Sequence, residues 1–137
     1  MEKILVIEDN ADQRIMISLF LTSENFQVTT AENGRVGLEL AIKIKPDLIV
    51  SDIHMPELNG YEVLKALRDD VATTDIAFIF LTAEVDADAH CLAMQLGAND
   101  YLTKPIDLKH LLLAIAFHLK TISPRNPQTC GIDYDLY

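Results

Sequence analysis

The chain has 137 residues, enough for one domain, since a globular domain typically has about 100 to 150 residues. Half of the residues are hydrophobic and 23% are charged, which are ordinary proportions for a folded protein and exclude disorder of the whole chain. Because 11 Lys and Arg residues stand against 21 Asp and Glu residues, for a net charge of −10, the surface should repel nucleic acid and anionic lipid.

The N-terminal segment begins with a short apolar run. Residues 4–7 are Ile, Leu, Val and Ile, and Glu8 and Asp9 end the run. This run is too short for the apolar core of a signal peptide and far too short to cross a membrane. The sequence therefore indicates a cytoplasmic protein without a membrane segment.

Short apolar runs alternate with longer segments of helical periodicity, which is typical of a parallel sheet covered by helices on both faces. Four of the predicted strands are rich in Val, Ile, Phe or Thr. In chain order we predict a strand at residues 3–7, a helix at 11–23, a strand at 27–30, a helix at 34–44, a strand at 48–51, a helix at 61–67, a strand at 77–81, a helix at 86–96, a weaker strand at 100–102 and a helix at 108–121.

Five strand–helix units in about 120 residues, joined by right-handed crossovers, favour an α/β fold of the flavodoxin-like type. This fold is a doubly wound (βα)5 arrangement with a five-stranded parallel sheet of order 2-1-3-4-5 and helices on both faces. We assign residues 1–122 to this domain. Because Pro124 and Pro127 interrupt any further helix, residues 123–137 are interpreted as a C-terminal tail or the start of a linker.

Acidic residues follow two strands that should be neighbours in this sheet. Glu8 and Asp9 come directly after the first strand, and Asp52 follows the third. Functional groups of such sheets lie at the carboxyl ends of the strands, so the three carboxylates should converge. Grouped acids require a cation, and an all-oxygen set suits Mg²⁺. The alternative interpretation is that an acid here only caps the following helix.

A hydroxyl and an ammonium group should reach the same edge. The fourth strand ends near Thr82, and Lys104 follows the fifth. Acids, a divalent cation, a hydroxyl and a lysine together suit a phosphoryl group, and an aspartate is the best nucleophile present. An aspartyl phosphate hydrolyses readily, which suits a transient signal. Taken separately, Thr82 is equally well interpreted as a polar residue at the end of a strand. Lys104, taken separately, is equally well interpreted as a solvated surface charge.

The residues now assembled resemble the receiver domain of bacterial two-component response regulators. The resemblance covers residues 3 to about 121 and is highly specific when its motifs are taken together. It rests on Glu8-Asp9, on residues 52–60 (DIHMPELNG), on Thr82-Ala83 and on residues 97–105 (GANDYLTKP).

The resemblance implies that Asp52 is the phosphoacceptor and that Mg²⁺ or Mn²⁺ is the cofactor. The implied metal ligands are Asp9, Asp52 and the backbone carbonyl of His54, while Glu8 acts through metal-bound water. The family often has aspartate at the position of Glu8, so the glutamate should shift the water network without abolishing metal binding.

The resemblance further implies a phosphoryl-binding and switching set. Thr82, the backbone of Ala83 and Lys104 would contact the phosphoryl group, and the Lys104–Pro105 peptide would be cis. Thr82 would move toward the phosphoryl group and Tyr101 would then rotate inward. This movement would change the face formed by the fourth helix, the fifth strand and the fifth helix.

Two residues are expected to set the lifetime of the aspartyl phosphate. His54 lies two residues after Asp52, and Glu84 lies two residues after Thr82, so both flank the path of an attacking water. Glu84 either orients that water or repels it. We therefore predict that Glu84→Ala changes the dephosphorylation rate, in either direction.

The implied partners are a sensor histidine kinase or a phosphotransfer protein, and either a separate downstream target or an output domain missing from this chain. Leu113 and Phe117 lie four residues apart on the last helix, off the stripe assigned to the sheet. They indicate either a homodimer or partner face, or a wide apolar stripe covered by the tail. We assign no role to His90, His110 or His118.

Two other classes with related folds fit less well. Phosphatases with an aspartate nucleophile use an Asp-x-Asp motif, whereas Asp52 is followed two residues later by His54, and no length remains for a substrate-capping domain. A flavodoxin needs a hydroxyl- and glycine-rich phosphate loop after the first strand, where residues 8–12 instead carry three acids.

Overall fold

The computed structural model describes residues 1–83 and 85–120. Strands and helices alternate strictly along these residues. They are β1 (Lys3–Ile7), α1 (Ala11–Ser23), β2 (Gln27–Ala31), α2 (Gly34–Ile44), β3 (Leu48–Ser51), α3 (Gly60–Asp69), β4 (Ala77–Thr82), α4 (Ala87–Gln95), β5 (Asp100–Thr103) and α5 (Leu108–Lys120). The predicted elements are all present, and their bounds agree with the sequence analysis to within two residues. Residues 123–137, predicted to be a tail or linker, lie outside the described residues.

The five strands form one parallel sheet of order β2-β1-β3-β4-β5, which confirms the predicted flavodoxin-like topology. The strand register aligns the carboxyl ends of the central strands. Ile7 pairs with Ser51, and Ser51 pairs with Phe80. The residues that follow β1 and β3 therefore leave the sheet side by side.

Two apolar clusters cover the two faces of the sheet. Along β1, Leu5 and Ile7 belong to one cluster, while Ile4 and Val6 belong to the other, because side chains alternate between faces of a strand. Helices α2, α3 and α4 pack on the first face, and α1 and α5 pack on the second. Within residues 1–83 and 85–120, none of the helices is long and apolar enough to span a bilayer.

Side-chain caps begin the helices that follow β1 to β4. The capping residues are Asn10, Asn33, Asn59 and Asp86. Each accepts a hydrogen bond from a backbone N–H of the first helical turn, which satisfies a donor that has no partner inside the helix. Asp86, predicted to be the first residue of the fourth helix, is the cap of α4, so that helix begins one residue later than expected.

Candidate functional site

Three carboxylates meet at the carboxyl end of the sheet. Glu8 and Asp9 follow β1, Asp52 follows β3, and one oxygen of each residue lies within 4.8 Å of the others. The backbone holds the two chain segments together, since the N–H of Asp52 donates to the carbonyl of Ile7 at 3.1 Å. Glu8 is buried and Asp9 is exposed. The sequence prediction that these acids converge is confirmed.

Lys104 reaches the same cluster from the far side of β4. Its Nζ atom donates to Oε1 of Glu8 at 2.9 Å and to Oδ2 of Asp52 at 3.0 Å. Its backbone N–H donates to the carbonyl of Thr82 at 2.8 Å, which fixes the start of the loop after β5. The peptide bond between Lys104 and Pro105 is cis, as the resemblance implies. One ammonium group therefore bridges two carboxylates from different strands.

Backbone groups orient the remaining carboxylate oxygens. Oδ1 of Asp52 accepts from the N–H of Ile53 at 2.7 Å, and Oε2 of Glu8 accepts from the N–H of Asn10 at 3.1 Å. Each of these two carboxylates is thus held at both oxygens, by Lys104 and by its own loop. Such fixed orientation is what a nucleophile or metal ligand requires.

Burial and charge shift the pKa values of Glu8 and Lys104. Burial is the largest influence on Glu8 and raises the pKa of its carboxyl group, while the hydrogen bonds from Lys104 and Asn10 oppose this change. For Lys104, burial alone would lower the pKa, but hydrogen bonds to Glu8 and Asp52 outweigh it and raise the pKa of the ammonium group. Lys104 is therefore held charged inside an acidic pocket.

The donor set of this pocket fits a hard divalent cation. It consists of carboxylate oxygens from Glu8, Asp9 and Asp52, and it contains no thiol or imidazole. When all three acids are ionised, the single Lys104 ammonium leaves an excess of negative charge. Mg²⁺ prefers oxygen ligands, uses one or two carboxylates and keeps several waters. The residues present therefore fit the cation that the resemblance implies.

Two glycines bring backbone into close contact around the loop after β3, and the sequence analysis missed this role. A Cβ atom on Gly34 would lie 1.9 Å from the carbonyl oxygen of Leu58, and one on Gly60 would lie 2.3 Å from the carbonyl oxygen of Asp52. Any larger residue would displace the loop that carries Asp52 and His54. The available signal was the Asn-Gly pair at the start of each of the two helices, Asn33-Gly34 at α2 and Asn59-Gly60 at α3.

The other predicted site residues lie around this pocket. Thr82 is buried at the end of β4, Tyr101 is buried in β5, and Ala83 and the side chain of His54 are exposed. Glu84 lies outside the described residues. On α5, Leu113 is 69% exposed and Phe117 is 48% exposed, whereas the tail that the second interpretation places over them lies outside the described residues.

Comparison with known proteins gives consistent matches. Residues 4–116 match the model of a family described as the response regulator receiver domain. The chain is 36% identical to the protein PilH of Pseudomonas aeruginosa over 115 residues, which is 84% of this chain and 95% of PilH. It is 35% identical to the response regulator ArlR of Staphylococcus aureus over 133 residues, which is 97% of this chain but only 58% of ArlR.

A solved structure shows the same fold. The chemotaxis response regulator CheY4 of Vibrio cholerae aligns with a TM-score of 0.81 at 31% sequence identity. The alignment covers 86% of this chain and 98% of CheY4. The structural similarity therefore extends over most of the chain.

Proposed function

This chain belongs to the response regulator receiver domain family, and from that membership we propose that it is switched by transfer of a phosphoryl group from a phosphohistidine to Asp52. Receiver domains of two-component systems are signalling domains rather than enzymes of metabolism. The phosphohistidine belongs to a sensor histidine kinase or a phosphotransfer protein. We propose a cytoplasmic location from membership of the same family.

One observation carries this proposal. Lys104 Nζ lies 3.0 Å from Oδ2 of Asp52 and 2.9 Å from Oε1 of Glu8, at a pocket edge where three carboxylates gather. A phosphoryl group on Asp52 would find this ammonium within hydrogen-bond distance. Fixed cations that face developing negative charge are the main source of catalysis in phosphoryl transfer.

The transfer proceeds by attack of an Asp52 oxygen on phosphorus. A P–O bond forms, the P–N bond to the donor histidine breaks, and the imidazole leaves with the electron pair. Asp9, Asp52 and the carbonyl of His54 would hold Mg²⁺ or Mn²⁺, with Glu8 acting through water, and the ion would supply positive charge that offsets the negative charge of the phosphoryl oxygens. Lys104 contacts the same oxygens, and the hydroxyl of Thr82 and the backbone of Ala83 donate hydrogen bonds to them.

Loss of the phosphoryl group requires water in line with the Asp52–phosphorus bond. His54 is exposed beside Asp52, and Glu84 follows Thr82 by two residues in the sequence. We propose that both side chains set the dephosphorylation rate. Glu84→Ala should change the rate at which phosphorylated Asp52 loses its phosphoryl group, in either direction, and an unchanged rate would refute this role.

The output of the switch is a change in the face formed by α4, β5 and α5. Thr82 is the last residue of β4, and Tyr101 lies in the neighbouring strand β5, two residues before Thr103, the register partner of Thr82. Movement of Thr82 toward the phosphoryl group therefore alters packing next to Tyr101. The altered face would bind a downstream protein, an output domain such as the additional length of ArlR could supply, or a second copy of this chain.

The decisive experiment incubates the chain with acetyl phosphate and Mg²⁺ and measures intact mass. We expect the parent protein to gain one phosphoryl group, Asp52→Asn to gain none, and chelation of the metal to abolish the gain. Asp69→Asn, an exposed acid of α3, is the matched control and should behave like the parent. Equal phosphorylation of Asp52→Asn, or none of the parent, would refute the proposal.

A further inference from the structure

We propose that His90 is a positioning residue for Tyr101, and that the stacked pair of their rings transmits the state of the pocket to α4. The inference rests on the proposed function, because it names the side chain through which the switch reaches that helix. The contacts around Tyr101, and not those of the acidic pocket, support the role of His90.

The rings of His90 and Tyr101 lie flat against each other. Their centroids are 4.7 Å apart and their planes differ by only 7°. His90 belongs to α4 and is half-buried, whereas Tyr101 belongs to β5 and is only 8% exposed. The imidazole therefore covers the phenol ring on the side that faces α4. Tyr101 cannot leave its position in that direction unless His90 or α4 moves.

A second aromatic contact holds Tyr101 from the sheet. The ring of Phe80 meets the ring of Tyr101 edge-on, with centroids 6.4 Å apart and planes at 64°. In the strand register, Phe80 of β4 pairs with Tyr101 of β5 on one side and with Ser51 of β3 on the other. Ser51 directly precedes Asp52. Tyr101 is thus packed between His90 on α4 and Phe80 on β4, and β4 is the neighbour of the strand that precedes Asp52.

The same turn of α4 is also linked to α3. The ring of Tyr61 meets Phe80 at a centroid distance of 5.5 Å, and its hydroxyl donates to the carbonyl of Ala89 at 3.4 Å. Ala89 directly precedes His90 in the helix. Residues 89–90 of α4 therefore contact Tyr61 and Tyr101, two of the three aromatic rings that pack on Phe80 among the described residues, so a change in packing around Phe80 and Tyr101 reaches this turn directly.

The strength of the stack sets the size of the expected effect. In addition to the contribution of its buried apolar area, an aromatic pair typically shifts an equilibrium constant by about 2- to 12-fold. Removing the His90 ring should therefore change the ratio of the buried to the alternative positions of Tyr101 by a factor in this range. A phenylalanine at position 90 keeps a flat ring and should preserve most of the coupling.

The test uses the full chain with 3-fluorotyrosine in place of tyrosine, and observes the Tyr101 resonance by fluorine NMR. The resonance is assigned by its absence in Tyr101→Phe. Spectra are recorded for the parent, His90→Ala and His90→Phe, with and without acetyl phosphate and Mg²⁺. His110→Ala is the control, because His110 is an exposed histidine on α5. Intact mass reports phosphorylation of each sample.

We expect His90→Ala to shift the Tyr101 resonance before phosphorylation and to reduce the change that phosphorylation causes. His90→Phe and His110→Ala should respond like the parent. If His90→Ala is phosphorylated and its Tyr101 resonance behaves as in the parent, the inference is wrong while the proposed function stands. If the parent takes up no phosphoryl group, the proposed function fails, and the coupling fails with it.

Discussion

At the scale of single residues, Glu8 is the most constrained member of the pocket. It is 3% exposed, its two oxygens accept from Lys104 and from the Asn10 N–H, and burial raises the pKa of its carboxyl group. A raised acid pKa means that the folded chain holds this proton more tightly than the unfolded chain. The charged form of Glu8 therefore lowers stability at pH values above its folded pKa.

We predict that Glu8→Gln raises the free energy of unfolding near neutral pH in the absence of metal. Glutamine keeps one oxygen that accepts from Lys104 and removes the buried charge, whose burial is the largest influence on Glu8, while its NH2 group cannot replace the oxygen that accepts from the Asn10 N–H. The advantage should shrink as the pH is lowered, because Glu8 of the parent becomes protonated and its cost disappears. Urea unfolding at several pH values measures this difference, and the exposed Glu24→Gln is the control.

The opposite result would identify the contacts of the charged Glu8 with Lys104 and with the Asn10 N–H as the dominant contribution. Glu8→Gln would then be less stable than the parent at neutral pH, and the deficit would shrink on acidification. If Glu8→Gln is more stable than the parent at neutral pH, burial is the main influence on the charge of Glu8. If it is less stable, the contacts of that charge with its hydrogen-bond partners are the main influence.

At the scale of secondary-structure elements, the start of α3 fixes the end of the loop that carries Asp52 and His54. Asn59 accepts from the N–H of Glu62 at 2.9 Å, and the side chain of Glu62 accepts from the N–H of Asn59 at 2.9 Å. This reciprocal capping box satisfies two backbone donors. Gly60 follows directly and permits the close approach of the helix to Asp52.

We predict that Asn59→Ala lowers the free energy of unfolding by about 1 kcal/mol, the usual cost of losing such a cap. Asn59→Ser keeps a side-chain acceptor at the cap and should recover most of the loss. Chemical denaturation of the three proteins measures both effects. Equal stability of Asn59→Ala and Asn59→Ser would show that the cap oxygen contributes nothing to the start of α3.

At the scale of the whole molecule, the exposed part of α5 stands out in an acidic protein. Leu113 is 69% exposed and Phe117 is 48% exposed, and α5 carries no acidic residue. Elsewhere, the chain has an excess of acids that gives a net charge of −10. Among the helices of the described residues, α5 is the one without an acidic residue, so its apolar pair meets no acid–acid repulsion from this helix, which favours association of this face with a partner or with a second copy.

We predict that the phosphorylated parent sediments as a larger species than the combined variant Leu113→Glu and Phe117→Glu at the same concentration. Two acids at these positions would place charges in a dimer contact. Ile42→Glu alters an exposed apolar residue of α2, which packs on the other face of the sheet, and should behave like the parent. Identical sedimentation of parent and combined variant would exclude this face as a homodimer contact.

Much of the architecture follows from local sequence patterns. Strand and helix positions come from apolar periodicity, and the order of the sheet follows from short right-handed connections between alternating elements. The convergence of Glu8, Asp9 and Asp52 was predictable for the same reason, since residues that directly follow neighbouring parallel strands must lie at one edge. These inferences need only the positions of residues along the chain.

Contacts between distant side chains required the folded structure. The bridge from Lys104 to Glu8 and Asp52 depends on how far one side chain reaches across β4, and the stack of His90 on Tyr101 depends on the rotation of α4 over β5. The glycine contacts at Leu58 and Asp52 likewise depend on how closely two backbones approach. Local periodicity carries no information about these distances, because they arise from the joint packing of elements far apart in sequence.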